Sequence, residues 1–323
     1  MAEEPVFISG LYRSGTTILT RIIDQSDEIS CTYDTIHFLR FSYGKYLPIE
    51  NRYEELLNDT NKRISSKFNL SFDVSKAISC IKNESKITEA TVYNCIMHHF
   101  LNNSNNKERW AEKTQVEWES IPDFLNMFPN GKVIHIYRDP RAVLASFKHK
   151  TIHTGSMYLD AIFASLAMFN FLQEKKVCNN ERVYILKYED FVGSPERFIK
   201  DICNFLNMTY SSKMLDVSSF KDIHGKMFDT NSAFTGQKKS INDSSVGIWK
   251  EKLSNIEIYL TEMILKDKMI DFDYSLSGID LCKEEFLELH SLLHDDFLYK
   301  RYKYWLKFGN GQQAYPNKEQ AYE

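Results

Sequence analysis

The sequence predicts an α/β fold in which a parallel β-sheet is flanked by helices and carries helical insertions. Three observations predict it. Short β-rich apolar runs, "VFIS", "KVIHIY" and "RVYILKY", recur along the 323 residues, each followed by a segment of helical periodicity. The first run passes through a tight Gly/Ser/Thr loop, "GLYRSGTT", straight into a helical pattern. Strands that alternate with helices imply crossover connections, and hence a parallel sheet.

Composition fits a packed globular chain. Hydrophobic residues make up 43% and aromatics 14%, ample for a core, while 12 glycines and 7 prolines exclude a low-complexity or fibrous chain. A formal charge of −4 argues against a surface that coats nucleic acid, so no nucleic-acid partner is expected; a local basic pocket is compatible with it. The six cysteines, Cys31, Cys80, Cys95, Cys178, Cys203 and Cys282, form no CxxC pair and are expected as reduced, partly buried thiols. The opening "MAEEPVF" has neither a basic nor a long apolar leader region, and no run of about 18 apolar residues follows. A cytoplasmic location without an integral membrane segment is expected.

In chain order, the strand at about Val6–Ser9 has the short apolar character of a strand buried on both faces. After the loop, Ile18, Leu19, Ile22 and Ile23 recur at helical spacing, which puts a helix start near Thr16 or Thr17. Residues 50–110 are rich in Asn, Lys, Ser and Glu and are read as a mostly helical insertion, with a polar loop "LNNSNNKER" at 101–109. Next come helix-like "EWESIPDFLNMF", the turn "PNG", the strand "KVIHIY", and the helix "RDPRAVLASFKH" with Pro140 near its first turn. Residues 157–208 give a long apolar-periodic helix, the strand "RVYILKY", and a helix with Ser194 as N-cap and Pro195 at its first position. The polar stretch 216–246 reads as a mobile loop and about 254–310 as a helical C-terminal extension. The whole chain, 1–323, is read as one domain without internal repeats.

A glycine-bearing turn between a buried strand and a helix presents backbone N–H groups and the positive end of the helix dipole to an anion. Ser14, Gly15, Thr16 and Thr17 are therefore expected to cradle phosphate or sulfate. A nucleotide triphosphatase needs a Lys-Ser/Thr pair after the second glycine. Here Gly15 is followed by Thr16 and Thr17, and Arg13 supplies the charge earlier. Three rivals stand beside an anion-transferring enzyme: a purely structural turn, a P-loop kinase using ATP, and a non-catalytic module that binds an adenine nucleotide.

"RSGTT" after an N-terminal strand resembles the phosphosulfate-binding loop of sulfotransferases that use 3′-phosphoadenosine 5′-phosphosulfate (PAPS). "YRDPRAVLASF" resembles their 3′-phosphate-binding strand and helix, in which an arginine precedes a serine by eight residues, as Arg138 precedes Ser146. An arginine fork takes two phosphate oxygens and a serine adds a third hydrogen bond. The resemblance implies a P-loop-type sheet, PAPS as donor, and release of adenosine 3′,5′-bisphosphate (PAP) after transfer to a carbohydrate, peptide or small-molecule hydroxyl. "WAEKT" is similar to the family's Lys-Thr segment, implying that Lys113 reaches the sulfonate or the bridging oxygen. "LKYEDF" implies Tyr188 near the adenine, and "SSVGIWKEKLS" resembles the cofactor-covering loop, implying Ser244, Ser245 and Lys250. Arg13 and Lys113 would supply positive charge at the sulfonate. No metal is expected.

The acceptor hydroxyl must also lose a proton. In the small-molecule branch of the family the base is a histidine directly after the Lys-Thr pair, but Gln115 stands here and takes no proton at neutral pH. The resemblance to the tyrosylprotein and bacterial carbohydrate branch puts Asp34 of "CTYDTIHF" at the position of that branch's glutamate, one methylene shorter. His37 is the competing base, because its ordinary pKa suits proton transfer near neutrality. His135, inside an apolar strand, reads as a satisfied core residue. Tyr33, Phe38, Phe41 and Tyr43 read as core in preference to an aromatic acceptor pocket. The acceptor itself stays open, and a homodimer is compatible with the sequence.

Overall fold

The structure, a computed structural model, describes residues 4–101, 107–115, 117–150, 158–226 and 241–294. β1 (Val6–Gly10) is buried along its length and leads through a five-residue loop into α1 (Thr16–Asp24), whose Ile18, Leu19, Ile22 and Ile23 enter the core. β2 (Ile29–Tyr33) and the short α2 (Phe38–Phe41) follow, then α3 (Ile49–Phe68), α4 (Val74–Lys82) and α5 (Glu89–Leu101). β3 (Arg109–Lys113), α6 (Ile121–Met127), β4 (Lys132–Tyr137) and α7 (Pro140–Lys150) bring the chain to α8 (Tyr158–Leu172) and α9 (Lys175–Cys178). β5 (Val183–Lys187), α10 (Tyr188–Gly193), α11 (Pro195–Leu206), α12 (Trp249–Lys252), α13 (Asn255–Asp271) and α14 (Lys283–Leu293) complete the strands and α-helices of the described residues.

The five strands pair in the order β2-β3-β1-β4-β5, and every pair is parallel. Parallel strands buried on both faces must send alternate side chains into two separate cores. On β1, Phe7 joins a core with Trp110, Phe124 and Val133, while Val6 and Ile8 join one with α1 and α11 residues such as Ile22 and Ile202. With β1 central, the loop after it, the residues following β3 and the residues following β4 all emerge at the carboxyl edge of the sheet. Ligands of open α/β sheets bind at that edge.

β1, β4 and β5 lie where the apolar runs put them, and α7 begins at Pro140. Ser194 occupies the N-cap position of α11, but its side chain makes no capping hydrogen bond. The structure adds β2 and β3, which the sequence reading did not identify as strands. β3 takes Arg109 from the expected polar loop, whose residues 102–106 lie outside the described residues, as do 227–240 of the expected mobile loop. Residues 49–101 form three helices. Six reduced thiols are not what the fold contains: Cys80 of α4 and Cys95 of α5 form a disulfide across two packed helices, while Cys31 and Cys203 are buried free thiols. No helix of the described residues is long and apolar enough to cross a membrane.

His135 is fully buried in β4 but is not satisfied, since neither ring nitrogen has a partner among the described residues. Burial pushes its pKa down to about 3, so it is a neutral packing residue.

Candidate active site

The loop after β1 is wound so tightly that Arg13 (φ 67°) and Gly15 (φ 97°) both take left-handed conformations. Glycine is required at two points. A Cβ on Gly10 would sit 2.4 Å from the Ile136 carbonyl oxygen of β4, and one on Gly15 would sit 2.5 Å from the Tyr188 ring. Gly15→Ala is expected to cost roughly 2–4 kcal/mol, combining a left-handed backbone penalty with overpacking, each of order 1–3 kcal/mol. Urea unfolding of the two proteins checks this.

Five residues singled out from the sequence meet beside this loop. Arg13 Nε donates to Ser146 Oγ of α7 at 2.9 Å. Arg138, at the carboxyl end of β4, donates from Nη1 to the Arg13 carbonyl and from Nη2 to the Ser245 carbonyl, both at 2.9 Å. Its guanidinium lies 4.3 Å over the Tyr188 ring, and the Tyr188 hydroxyl is 2.8 Å from Ser245 Oγ. Ser14 Oγ and Arg138 Nε are buried and have no partner among the described residues. Buried donors left unpaired fit an anion that takes them. The groups present therefore fit a nucleotide with two phosphate ends: the loop amides with Ser14, Thr16 and Thr17 for one, Arg138 with Ser146 for the other. Ser244 and Lys250 are exposed and stay outside this cluster, with the Lys250 amine 5.6 Å over the Trp249 ring.

The second half of the site sits where β2 and β3 end. The Asp34 amide donates to the Lys113 carbonyl at 3.2 Å, extending the ladder by one residue, and Asp34 then turns left-handed (φ 51°). This places its carboxylate against Lys113: Oδ2 accepts from Lys113 Nζ and, at 2.9 Å, from Gln115 Nε2. Oδ1 is buried with no partner among the described residues. The Lys113 side chain is 1% exposed against 32% for Asp34. Burial lowers the Lys113 pKa, Asp34 raises it, and the nearby Arg21 and Arg13 push it down further, which marks a pocket of concentrated positive charge. Tyr12, one residue before Arg13, pairs with Arg40 and feels Asp34 and Glu117; its pKa is raised, chiefly by burial.

His37 lies three residues beyond Asp34 and pairs with a different carboxylate. It is 7% exposed, and its Nδ1 pairs with the fully buried Glu117. Burial pulls its pKa down, but the hydrogen bond and charge of Glu117, with Glu112 and Asp34 behind, leave it above the ordinary value. Phe38 is core, its ring stacked 4.2 Å from Tyr93, and the Tyr33 hydroxyl donates to Asp24 at 2.7 Å. Tyr43 packs at the rim of the larger core, and the Phe41 ring stands edge-on to His37 at 5.9 Å.

Sequence reasoning missed Gln115 as an Asp34 partner, and it missed Glu112, Glu117 and Arg63 behind His37. The one signal it had was a carboxylate, Glu112, next to Lys113 in "WAEKT".

Residues 5–212 match the sulfotransferase family. A "Putative protein-tyrosine sulfotransferase" of Caenorhabditis briggsae is 24% identical over 295 residues, covering 86% of this chain and 95% of the relative. Among solved structures, the sulfotransferase domain of the curacin biosynthetic pathway superposes with a TM-score of 0.54 at 21% identity, covering 85% of this chain and 99% of that one. The sulfotransferase domain of the Synechococcus PCC 7002 olefin synthase gives 0.54 at 19% identity, over 85% and 97%. The shared fold is the P-loop-type α/β sheet. The chain belongs to the sulfotransferase family, the enzymes that move a sulfonate group from PAPS onto a hydroxyl acceptor and release PAP.

Proposed function

We propose that this chain sulfonates a tyrosine hydroxyl on a peptide, with Asp34 as general base and Lys113 and Arg13 as the charges facing the sulfonate. One observation carries the assignment of roles: Oδ2 of Asp34 is taken by Lys113 and Gln115, while Oδ1 is left without a partner. A carboxylate with one oxygen fixed and the other buried but unpaired is suited to accept a hydroxyl proton in a set direction. His37, 7% exposed with its Nδ1 held by the buried Glu117, is assigned here to the fold.

PAPS, when bound, supplies the electrophilic sulfonate and its PAP leaving group. The chain does the rest. Arg138, Ser146 and the loop amides hold the nucleotide, Asp34 accepts the proton at Oδ1, and the Lys113 ammonium with the Arg13 guanidinium stabilises developing negative charge in a buried setting where such charges act strongly. Gln115 takes the place of a base by orienting one.

Two observations support a peptide acceptor. The C. briggsae relative bears a protein-tyrosine sulfotransferase name. The rim next to Asp34 is also basic and aromatic: Arg40, Lys45 and Arg63 lie 5.2, 5.9 and 4.5 Å from the Phe41 ring centre. Such a rim favours acidic residues flanking the tyrosine. The Cys80–Cys95 disulfide supports maturation in an oxidising compartment over the cytoplasmic location expected from sequence.

The test is incubation of the purified chain with PAPS and three acceptors: a tyrosine peptide with acidic flanks, its Tyr→Phe counterpart, and a hexose. PAP release coupled to a one-sulfonate mass gain on the tyrosine peptide alone is the expected result. Transfer to the hexose with none to the peptide overturns the acceptor assignment.

A further inference from the structure

The turn that carries Asp34 is costly to build. Within four residues both Asp34 (φ 51°) and His37 (φ 49°) are left-handed, and each such residue costs about 1–2 kcal/mol. A strained turn persists only where surrounding contacts over-determine it. Here the contacts come from three elements. Arg63 of α3 donates to the Thr35 carbonyl at 3.0 Å and also to the Ile36 carbonyl. Glu117 holds the His37 ring. Glu112 of β3 accepts the His37 backbone N–H at 2.5 Å on one oxygen and the Tyr93 hydroxyl on the other.

Glu112 is an unusual choice for this job. It is fully buried, beside a second fully buried carboxylate, Glu117, and burial followed by that neighbour's charge raises its pKa to about 7. Burying carboxylates is expensive unless their hydrogen bonds are needed. Its place in the strand supplies the need. Glu112 and Lys113 are successive residues of β3 and so point to opposite faces of the sheet. One strand thereby grips both ends of the turn: Lys113 at the Asp34 carboxylate, Glu112 at the His37 amide three residues on.

We propose that Glu112 is a positioning residue for sulfonate transfer: by bridging Tyr93 to the His37 amide it fixes the 34–37 turn so that the Asp34 carboxylate stays against Lys113. This rests on the reading of Asp34 as base. Glu112 makes no contact with the nucleotide cradle, so its loss should act on turnover and leave donor binding alone.

The test compares the full chain carrying Glu112→Ala, Glu112→Gln or Asp34→Asn in the peptide assay, with PAP affinity measured by calorimetry. Glu112→Ala is expected to lower kcat about 100-fold, the order of effect of a base displaced by about 1 Å. PAP affinity should stay within about twofold. Glu112→Gln should restore most of the rate, because its amide oxygen still accepts the His37 N–H. If Glu112→Ala does not fold, Tyr93→Phe serves instead: it removes one hydrogen bond to Glu112, and a kcat roughly 3- to 10-fold down at unchanged PAP affinity supports the proposal. A wild-type kcat in Glu112→Ala or in Tyr93→Phe, with Asp34→Asn inactive, overturns the proposal and spares the base assignment. A parallel fall in PAP affinity also overturns it, by reducing Glu112 to a general prop. Full activity in Asp34→Asn overturns both.

Discussion

Asp34→Asn is expected to lower kcat about 10³-fold, within the range lost with a positioned general base, while PAP affinity stays within about twofold. Asparagine is isosteric and tolerates the left-handed backbone at this position well. Lys113 and Gln115 are both donors, so the amide oxygen will take the Oδ2 position between them. The amide nitrogen is then forced into the Oδ1 position, placing a donor where the acceptor hydroxyl needs a proton acceptor. Removing the carboxylate leaves the enclosed Lys113 ammonium without its counter-charge, so the melting temperature should fall, while PAP calorimetry on the folded protein stays close to wild type. Initial rates over a range of peptide concentrations separate the kcat effect from KM. A kcat within tenfold of wild type would show that the proton leaves by another route, and His37→Asn would then be the variant to examine.

That expectation rests on pairings which the sequence showed only in part. The nucleotide end was legible because each of its members belongs to a continuous strand-loop-helix pattern: Arg13 in the first loop, Arg138 and Ser146 one helix apart, Tyr188 at the start of α10. The transfer end was legible only as isolated residues. Asp34 and Gln115 are 81 residues apart, and His37 and Glu117 are 80 apart, so their pairing exists only once β2 lies beside β3.

Those two strands were also the ones the pattern concealed. β1 and β4 present the apolar runs expected of buried parallel strands. "ISCTY" and "RWAEK" do not, because Ser30, Thr32, Glu112 and Lys113 interrupt them. In β3 the interruption is the site itself: the polar residues that blur the strand signal are those that hold the Asp34 turn. The disulfide was hidden for a related reason. Cys80 and Cys95 lie on separate helices, and only the packing of α4 on α5 brings them together.

The second large effect is expected at Lys113. Lys113→Met should lower kcat about 10²–10³-fold, the loss typical of removing one preorganised donor from developing charge, with little change in PAP affinity, because PAP lacks the sulfonate. The structure also predicts that stability will not fall with activity. Lys113 is almost fully enclosed, its pKa already lowered by burial and by Arg21 and Arg13, so the fold carries a desolvation cost for its charge. Methionine fills a similar unbranched volume without that cost. Against this stands the loss of the Asp34 ion pair, but Asp34 is about one-third exposed and keeps Gln115, so water and one hydrogen bond still serve its charge. The two terms nearly offset, and the melting temperature should move by no more than a few degrees. A variant that melts like wild type yet transfers sulfonate hundreds of times more slowly would place the Lys113 contribution in the reaction itself. A variant that loses activity only in proportion to its folded fraction would return Lys113 to the structural column and leave Arg13 as the sole charge at the sulfonate.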